Sequence, residues 1–93
     1  MKVEWNPQKA AVNHRKHGID FADAAVALED HNALTIEDGS CDEQRFKTLA
    51  LGPNLKVLLV VHAQRGADTI RIISARKADR AEMRQYYKGV RYE

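Results

Sequence analysis

Cationic side chains and one histidine gather in the second half of the 93-residue chain, around the segment "VVHAQRGADTIRIISARKADR" (60–80). His62 ends an apolar run, and Arg65 begins the polar turn that follows. A histidine can take or give a proton near neutral pH, and an arginine fits a phosphate through two hydrogen bonds. Such groups could cleave RNA: a base removes the 2′-hydroxyl proton, and the oxygen attacks the adjacent phosphate. Cations would stabilise the added negative charge, and an acid would protonate the leaving oxygen.

The charge of the chain is divided unevenly along its length. Residues 1–43 hold four Lys/Arg and nine Asp/Glu, a net charge of −5. Residues 44–93 hold eleven Lys/Arg and four Asp/Glu, a net charge of +7. This division favours a polyanion or an acidic partner for the second half. The alternative is that the two halves neutralise each other across the fold.

Residue types that hold metals, cofactors or disulfides are sparse. Cys41 is the only cysteine, so neither a disulfide nor a cysteine zinc site can form within the chain. His14 and His17 share a helix face, but no further metal ligand accompanies them. There is no phosphate-cradling glycine loop, Walker lysine or Ser-His-Asp order. We therefore expect a mechanism without metal or cofactor.

The length and hydropathy of the chain limit where the protein can be located and how many domains it can form. The longest apolar run, "VLLVV", is far shorter than the ~20 residues of a membrane span. The N-terminal "MKVEW" has no apolar signal region. We expect a cytoplasmic protein without membrane contact. Because 93 residues are too few for two hydrophobic cores, we expect a single domain, 1–93.

The hydrophobic pattern predicts an α+β fold with the order β-α-α-β-β-β-β-α. A helix begins at Asn6 and ends at Gly18, and Asp20 begins a second one. Asp79 and Glu82, like a capping box, begin the last helix. Between them lie four strand segments with short connections, "ALTIE", "RFKTLAL", "KVLLVVHAQ" and "TIRIISA". We expect an antiparallel sheet with the helices packed against it.

Strand alternation sorts the cations by face. In "RFKTLAL", Arg45 and Lys47 share a face with leucines. In "TIRIISA", a regular strand places Arg71 with Ile73 and opposite Ser74. At least two strands therefore project cations among aliphatic side chains. Whether these cations share one face depends on the register, which the sequence does not show.

Motifs spread over nearly the whole chain carry a family resemblance. They are "VEWNPQKAAVNHRKHGIDFADAA", then "DEQRF", "LLVVH" and "IRIISARKADRAEMRQYY". With these motifs the chain resembles the BrnT toxins of bacterial type II toxin–antitoxin systems. Two departures are Asn6, where aspartate is usual, and a shortened acidic loop, "EDGSCDE".

The resemblance implies a compact RelE-like ribonuclease that cuts RNA without a metal and inhibits translation and growth. It implies a BrnA-type antitoxin, a ribbon-helix-helix protein, as the partner that neutralises the toxin. The complex would repress its own operon, with the antitoxin making the contacts to operator DNA.

The candidate site residues are polar side chains of the second half. Catalytic roles are expected for His62, Arg45, Arg71 and Arg76. The last two would neutralise the scissile phosphate and its transition state, and His62 would act as acid or base. RNA-binding roles are expected for Lys47, Lys56, Arg65, Lys77 and Arg80. If His62 is structural, the acid/base role passes to Glu37, Glu43 or a lysine.

Two other functions stay open at this point. One is a non-catalytic RNA-binding module, since the helix–sheet–helix order is similar to that of a double-stranded-RNA-binding domain. That fold has three strands between its helices, whereas four are predicted here, and it lacks the N-terminal strand. The other is an interaction protein whose basic face only docks an acidic antitoxin.

Overall fold

The computed structural model describes residues 1–39 and 44–90, which form a five-stranded sheet with three α-helices. A short 3₁₀ turn, Pro53–Leu55, connects the third and fourth strands. Cys41 and Glu43 lie outside the described residues. In chain order the elements are β1 (Lys2–Glu4), α1 (Pro7–His17), α2 (Phe21–Ala27), β2 (Leu34–Asp38), β3 (Arg45–Leu51), β4 (Val57–Arg65), β5 (Thr69–Lys77) and α3 (Arg80–Lys88).

The sheet is mixed, so the prediction of an antiparallel sheet was wrong for one pair of strands. The strand order is β1-β5-β4-β3-β2, and β1 is parallel to β5 while the other pairs are antiparallel. The chain leaves β1 through α1 and α2, returns at the opposite edge as β2, and winds back until β5 lies beside β1. A strand of three residues carries no sequence signal of its partner or direction.

Helices α1 and α2 cover one side of the sheet, which we call the helical face. Asn6 caps α1, because its side chain accepts hydrogen bonds from the backbone N–H groups of Gln8 and Lys9 at 2.8 and 3.2 Å. Trp5 and Phe21 pack edge to face, with ring centroids 6.1 Å apart. The buried core on this face consists of Ile19, Phe21, Ala24, Ala27, Ala50, Leu58, Val60, Ile72 and Ala75.

Helix α3 packs against the opposite side of the sheet. Its N-terminus is a complete capping box, which confirms the predicted start: the Asp79 side chain accepts from the Glu82 N–H at 2.8 Å, and the Glu82 carboxylate accepts from the Asp79 N–H at 2.9 Å. The helix covers the end of this side where β3 stops and β4 begins. The second core lies there and consists of Leu49, Val57, Ala78 and Tyr86.

Asp30 connects this second core to the loop before β2. Its Oδ2 accepts a hydrogen bond from the Leu51 N–H at 2.9 Å and another from the Tyr86 hydroxyl at 2.5 Å. Its Oδ1 accepts from the Asn32 N–H at 3.0 Å. Burial alone would raise the pKa of Asp30, but these hydrogen bonds to the charged form, with His31 nearby, hold that pKa below its ordinary value.

The short strand β1 pairs with residues 69–71 of β5. Beyond this pairing, a side chain of α1 forms hydrogen bonds with the backbone at the edge of β5. The Asn13 amide donates to the Ala75 C=O at 2.8 Å and accepts from the Ala75 N–H at 3.1 Å. The same amide donates to the Ile19 C=O at 3.2 Å. Asn13 therefore stands in for a neighbouring strand at a buried edge.

Candidate functional site

The strand register brings Arg45 and Arg71 to the same side of the sheet. Arg45 of β3 is opposite Ala63 of β4, and Ala63 is opposite Arg71 of β5. Directly opposed residues project to the same side, so the two arginines flank Ala63. Two strand spacings put their Cα atoms about 10 Å apart. Lys47, two residues after Arg45 in β3, projects to the same side.

A β-bulge in β5 adds Arg76 to this side. Ile73 is the extra residue, because the pairing with β4 skips it and the alternation of β5 reverses there. Arg71 is opposite Ala63 and Arg76 is opposite Leu59, two residues that point to the same side of β4. We call the side that carries Arg45, Lys47, Arg71 and Arg76 the basic face.

The bulge also shows that the regular alternation predicted for β5 was wrong. Ser74 is opposite Val61 and therefore shares the basic face with Arg71. Ala75, which a regular strand groups with Arg71, is instead buried in the core beneath α1 and α2. The sequence "RIISAR" contains no glycine or proline that would mark such an irregularity.

Arg71 and Arg76 of the basic face each bind a carboxylate of the described chain. Arg71 donates to Glu4 of β1 at 2.9 Å, and both side chains are partly open to solvent, so the pair contributes about 0–1 kcal/mol. Arg76 donates to both carboxylate oxygens of Glu82, at 2.8 and 2.9 Å. These hydrogen bonds raise the pKa of Arg76 and lower the pKa of Glu82.

A groove of about 210 Å³ lies between the basic face and α3. Leu34 and Ile36 of the edge strand β2 contribute apolar surface and are 37% and 57% exposed. The groove therefore sets aliphatic side chains beside positively charged donors. Its lining consists of Leu34, Ile36, Lys47, Leu49, Leu59, Arg76, Glu82 and Gln85. Larger hollows of about 530 and 370 Å³ lie along α1 and contain none of the four basic-face cations.

The sheet separates His62 from the three arginines. His62 is opposite Phe46, on the helical face, and its side chain is buried at 7% exposure. Its Nε2 lies 2.8 Å from the Thr48 hydroxyl, and its ring stacks on Phe46 with centroids 5.7 Å apart. Burial lowers the pKa of His62 below the ordinary value of 6.5 and favours the neutral ring.

The predicted catalytic set is therefore not assembled as one site. Arg45, Arg71 and Arg76 share the basic face, and His62 lies on the other side of the same sheet. Among the substitutes for His62, Glu37 is also opposite Phe46 and so belongs to the helical face. Glu43 lies outside the described residues, whereas Lys47 lies on the basic face.

The predicted RNA-binding residues are spread over the molecule. Lys47 lines the groove, and Arg65, two residues after Ala63 in β4, points to the basic-face side at the end of the strand. Lys77 is exposed on the helical side of β5, opposite a core residue of β4. Lys56 and Arg80 are exposed outside the strands, before β4 and at the start of α3.

Sequence reasoning missed the carboxylates and the amide that surround the cations. Glu4 lies on a separate strand far from Arg71 in the sequence, and Glu82 lies on a different element from Arg76, so neither pairing leaves a local sequence signal. Gln85 falls on the groove one turn after Glu82. That helical spacing was the one available signal.

The described residues contain neither a metal-binding cluster nor a membrane-spanning helix. Within 1–39 and 44–90, no three His, Cys, Asp or Glu side chains lie close enough together to hold a metal ion. In the same ranges, every helix falls short of the length and apolarity needed to cross a membrane.

Comparison with known proteins decides the class. The family model described as "Ribonuclease toxin, BrnT, of type II toxin-antitoxin system" matches residues 5–82. The chain belongs to the BrnT family. Among solved structures, the Brucella abortus ribonuclease toxin BrnT is similar, with a TM-score of 0.65 and 26% sequence identity over 86% of this chain and 99% of that chain. A search of curated proteins found no match.

Membership in the BrnT family confirms the resemblance drawn from the motifs and the α+β fold. It also confirms the class, a ribonuclease toxin of a type II toxin–antitoxin system. The family implies RNA as substrate and an antitoxin as partner. The basic face of this BrnT-family chain carries charge of the sign that suits a phosphate backbone.

Proposed function

We propose that the chain cleaves RNA at the basic face without a metal ion, by attack of a 2′-hydroxyl on the adjacent phosphate. One observation carries the proposal: Arg45, Lys47, Arg71 and Arg76 share one side of the sheet, and Lys47 and Arg76 line a groove there. Cations clustered on one face are the electrostatic footprint of phosphate binding. Family membership supplies the substrate class.

In the attack, the 2′-hydroxyl gives its proton to a solvent water, its oxygen bonds to phosphorus, and the bond from phosphorus to the 5′-oxygen breaks. The transition state places an additional negative charge on the phosphate oxygens. Arginine forks held beside these oxygens stabilise that charge, and such preorganised groups are worth most where water is excluded. The Lys47 side chain lies on the same face and lines the groove. We assign to Lys47 the protonation of the leaving 5′-oxygen. Among the acid/base candidates named from the sequence, it is the one that the described strands place on the same face as the arginines.

The groove favours an unpaired nucleotide over a duplex. Its aliphatic side chains, among them Leu34 and Ile36, can contact the face of a base. Lys47 and Arg76 can bind the phosphate of the same nucleotide. A base can enter such a groove only when it is unstacked, as in single-stranded loops and ends. We therefore propose single-stranded RNA as the substrate.

His62 has a structural role in this proposal. It is buried, bound to Thr48 and stacked on Phe46, and it lies on the side of the sheet away from the cations. A group that gives or takes a proton in the reaction must come within hydrogen-bond reach of the reacting oxygen. His62 could not reach a phosphate bound on the basic face without the sheet opening.

The proposed partner is a BrnA-type ribbon-helix-helix antitoxin that neutralises the toxin and, in complex with it, represses their operon through contacts to operator DNA. The type II family supports an antitoxin, and the basic face supports an acidic segment in it. We further propose that the fold is RelE-like and that the toxin acts in the cytoplasm. Residues 1–93 would form a single domain, since both cores pack against the same sheet.

The decisive experiment incubates the purified chain with a single-stranded RNA in excess chelator. The expected products carry a 2′,3′-cyclic phosphate and a 5′-hydroxyl. The matched control is the same RNA with one 2′-deoxy nucleotide at the cleaved position, which should stay intact there. If a folded sample leaves RNA uncut in chelator but cuts it with added metal, metal independence is wrong. RNA that is bound with a steep salt dependence but never cut would support the binding module instead.

The partner is tested by co-expression with the small protein encoded beside this chain's gene. The expected result is a stable complex that binds the operator and no longer cuts RNA. A complex that forms while RNA cleavage continues at the rate of the isolated toxin would contradict neutralisation by occlusion of the basic face.

A further inference from the structure

The carboxylate of Glu82 is held by three donors from two elements. Arg76, at the end of β5, supplies two N–H groups at 2.8 and 2.9 Å. The Asp79 backbone N–H, at the start of α3, supplies the third at 2.9 Å. The Glu82 side chain is 22% exposed and that of Arg76 is 39% exposed. The pair is thus partly shielded from water, which strengthens it relative to a surface pair.

The orientation of the Arg76 side chain depends on Glu82 more than the orientation of Glu82 depends on Arg76. Glu82 occupies the third position of α3, where the Asp79 cap fixes the backbone, and its own carboxylate closes the capping box. These bonds hold the carboxylate whether or not Arg76 is present. An arginine side chain has several rotatable bonds and considerable rotamer entropy, so it depends on such a partner for a fixed direction.

The three hydrogen bonds of Arg76 leave a specific part of its guanidinium for a ligand. Of five N–H donors, two go to Glu82, and one on Nη1 goes to the Lys77 C=O at 3.2 Å. The other two, on Nε and Nη2, have no hydrogen-bond partner within residues 1–39 and 44–90. These two lie along one edge of the planar group and form a fork that fits two phosphate oxygens.

We propose that Glu82 is a positioning residue for RNA cleavage, which orients Arg76 so that its Nε–Nη2 edge receives the phosphate. The inference rests on the proposed function, since it requires Arg76 to contact the RNA. A carboxylate in an RNA-binding groove repels phosphate. Without a positioning role, removal of its charge should therefore improve binding and leave the turnover rate unchanged.

The test compares kcat and KM of four full-length proteins on one single-stranded RNA: the parental chain, Glu82→Gln, Arg76→Ala and the double variant. Glu82→Gln is expected to lower kcat by roughly 10- to 100-fold, because a misdirected group loses its alignment, with KM equal or lower. In the Arg76→Ala background the same change should have no further effect on kcat. Asp79→Asn is the matched control: it removes a neighbouring charge, keeps the cap, and should keep the parental kcat.

The outcomes separate the two proposals. If Arg76→Ala lowers kcat and Glu82→Gln does not, the positioning role is overturned and the proposed site stands. If Arg76→Ala cleaves at the parental rate, both are overturned. A Glu82→Gln protein with a raised kcat would also overturn positioning, since Glu82 would then compete with phosphate. Thermal melts of all variants exclude unfolding as the cause, and an equal loss of kcat in Asp79→Asn would assign the effect to α3 rather than to Arg76.

Discussion

Arg71 and Arg76 lie on the same side of β5, five positions apart in a strand whose regular alternation would point them to opposite sides. The bulge at Ile73 produces this relationship. It places Arg76 on the side of the sheet that carries Arg71 and, across β4, Arg45. The cations therefore share one side of the sheet, although regular alternation of β5 would divide them between two faces.

Loss of either arginine from the bulged strand should impair cleavage. We expect Arg71→Ala and Arg76→Ala each to lower kcat/KM by roughly 10- to 100-fold, because each removes a preorganised donor from the phosphate site. Arg15→Ala is the matched control, since Arg15 is exposed on α1, which lies on the side of the sheet away from the basic face. Initial rates on a defined RNA provide the measurement. Equal losses in all three variants would mean that the effect is one of net charge.

Replacement of His62 should affect stability and not chemistry. We expect His62→Gln to lower the free energy of unfolding by about 1–3 kcal/mol, because the stacking on Phe46 is lost and the buried Thr48 hydroxyl must find a new geometry. Urea denaturation measures this change, and cleavage rates per folded molecule should match those of the parental chain. A rate loss of 100-fold in a stably folded His62→Gln protein would return His62 to catalysis.

The pH dependence of stability should carry the signature of His62. Because burial lowers its folded pKa below 6.5, the unfolded chain binds the proton first as pH falls. Stability is then fully present above about pH 7 and is lost as pH falls through the unfolded pKa toward the folded one. We expect the free energy of unfolding to decrease between about pH 7 and pH 5, and to decrease less in His62→Gln. Equal slopes in the two proteins would contradict a depressed pKa.

The Asp30 network should contribute to stability above about pH 4. Its folded pKa is lowered by hydrogen bonds from Leu51 and Tyr86, so its contribution is lost as pH falls through that folded value. We expect Tyr86→Phe to cost about 1 kcal/mol, and Asp30→Ala to cost more, because it also leaves the Leu51 N–H without its acceptor. A double-mutant cycle at neutral pH measures the coupling. Additive effects would show that the short hydrogen bond contributes nothing.

Asn13 should tolerate neither truncation nor charge. Its amide donates to the Ala75 and Ile19 carbonyls and accepts from the Ala75 N–H. Asn13→Ala therefore removes the side-chain partner of three buried backbone groups, at about 1–3 kcal/mol each. Asn13→Asp keeps the size but replaces the donor with a carboxylate that faces the Ala75 and Ile19 carbonyls. We expect it to be destabilised at least as much at neutral pH and to recover partly in acid. Urea denaturation at two pH values checks this expectation.

Much of the local structure was readable from sequence. Asn6 and Asp79 begin helices because their side chains satisfy the first backbone N–H groups. Gly18 ends α1 with a φ of 72°, a conformation that glycine adopts at little cost. The family motifs likewise run in chain order, so the BrnT family could be named without coordinates.

The tertiary structure decided how these elements meet. The parallel pairing of β1 with β5 and the bulge at Ile73 depend on contacts between distant residues, which leave no local pattern. Arg76 and Glu82 are only six residues apart, but they lie on different elements, so their pairing depends on how α3 packs against the sheet. Residue types therefore determined that the second half of the chain is basic and strand-forming. Side-chain direction in a sheet, however, changes with a single inserted residue. Only the folded register could therefore put His62 on one face and the arginines together on the other.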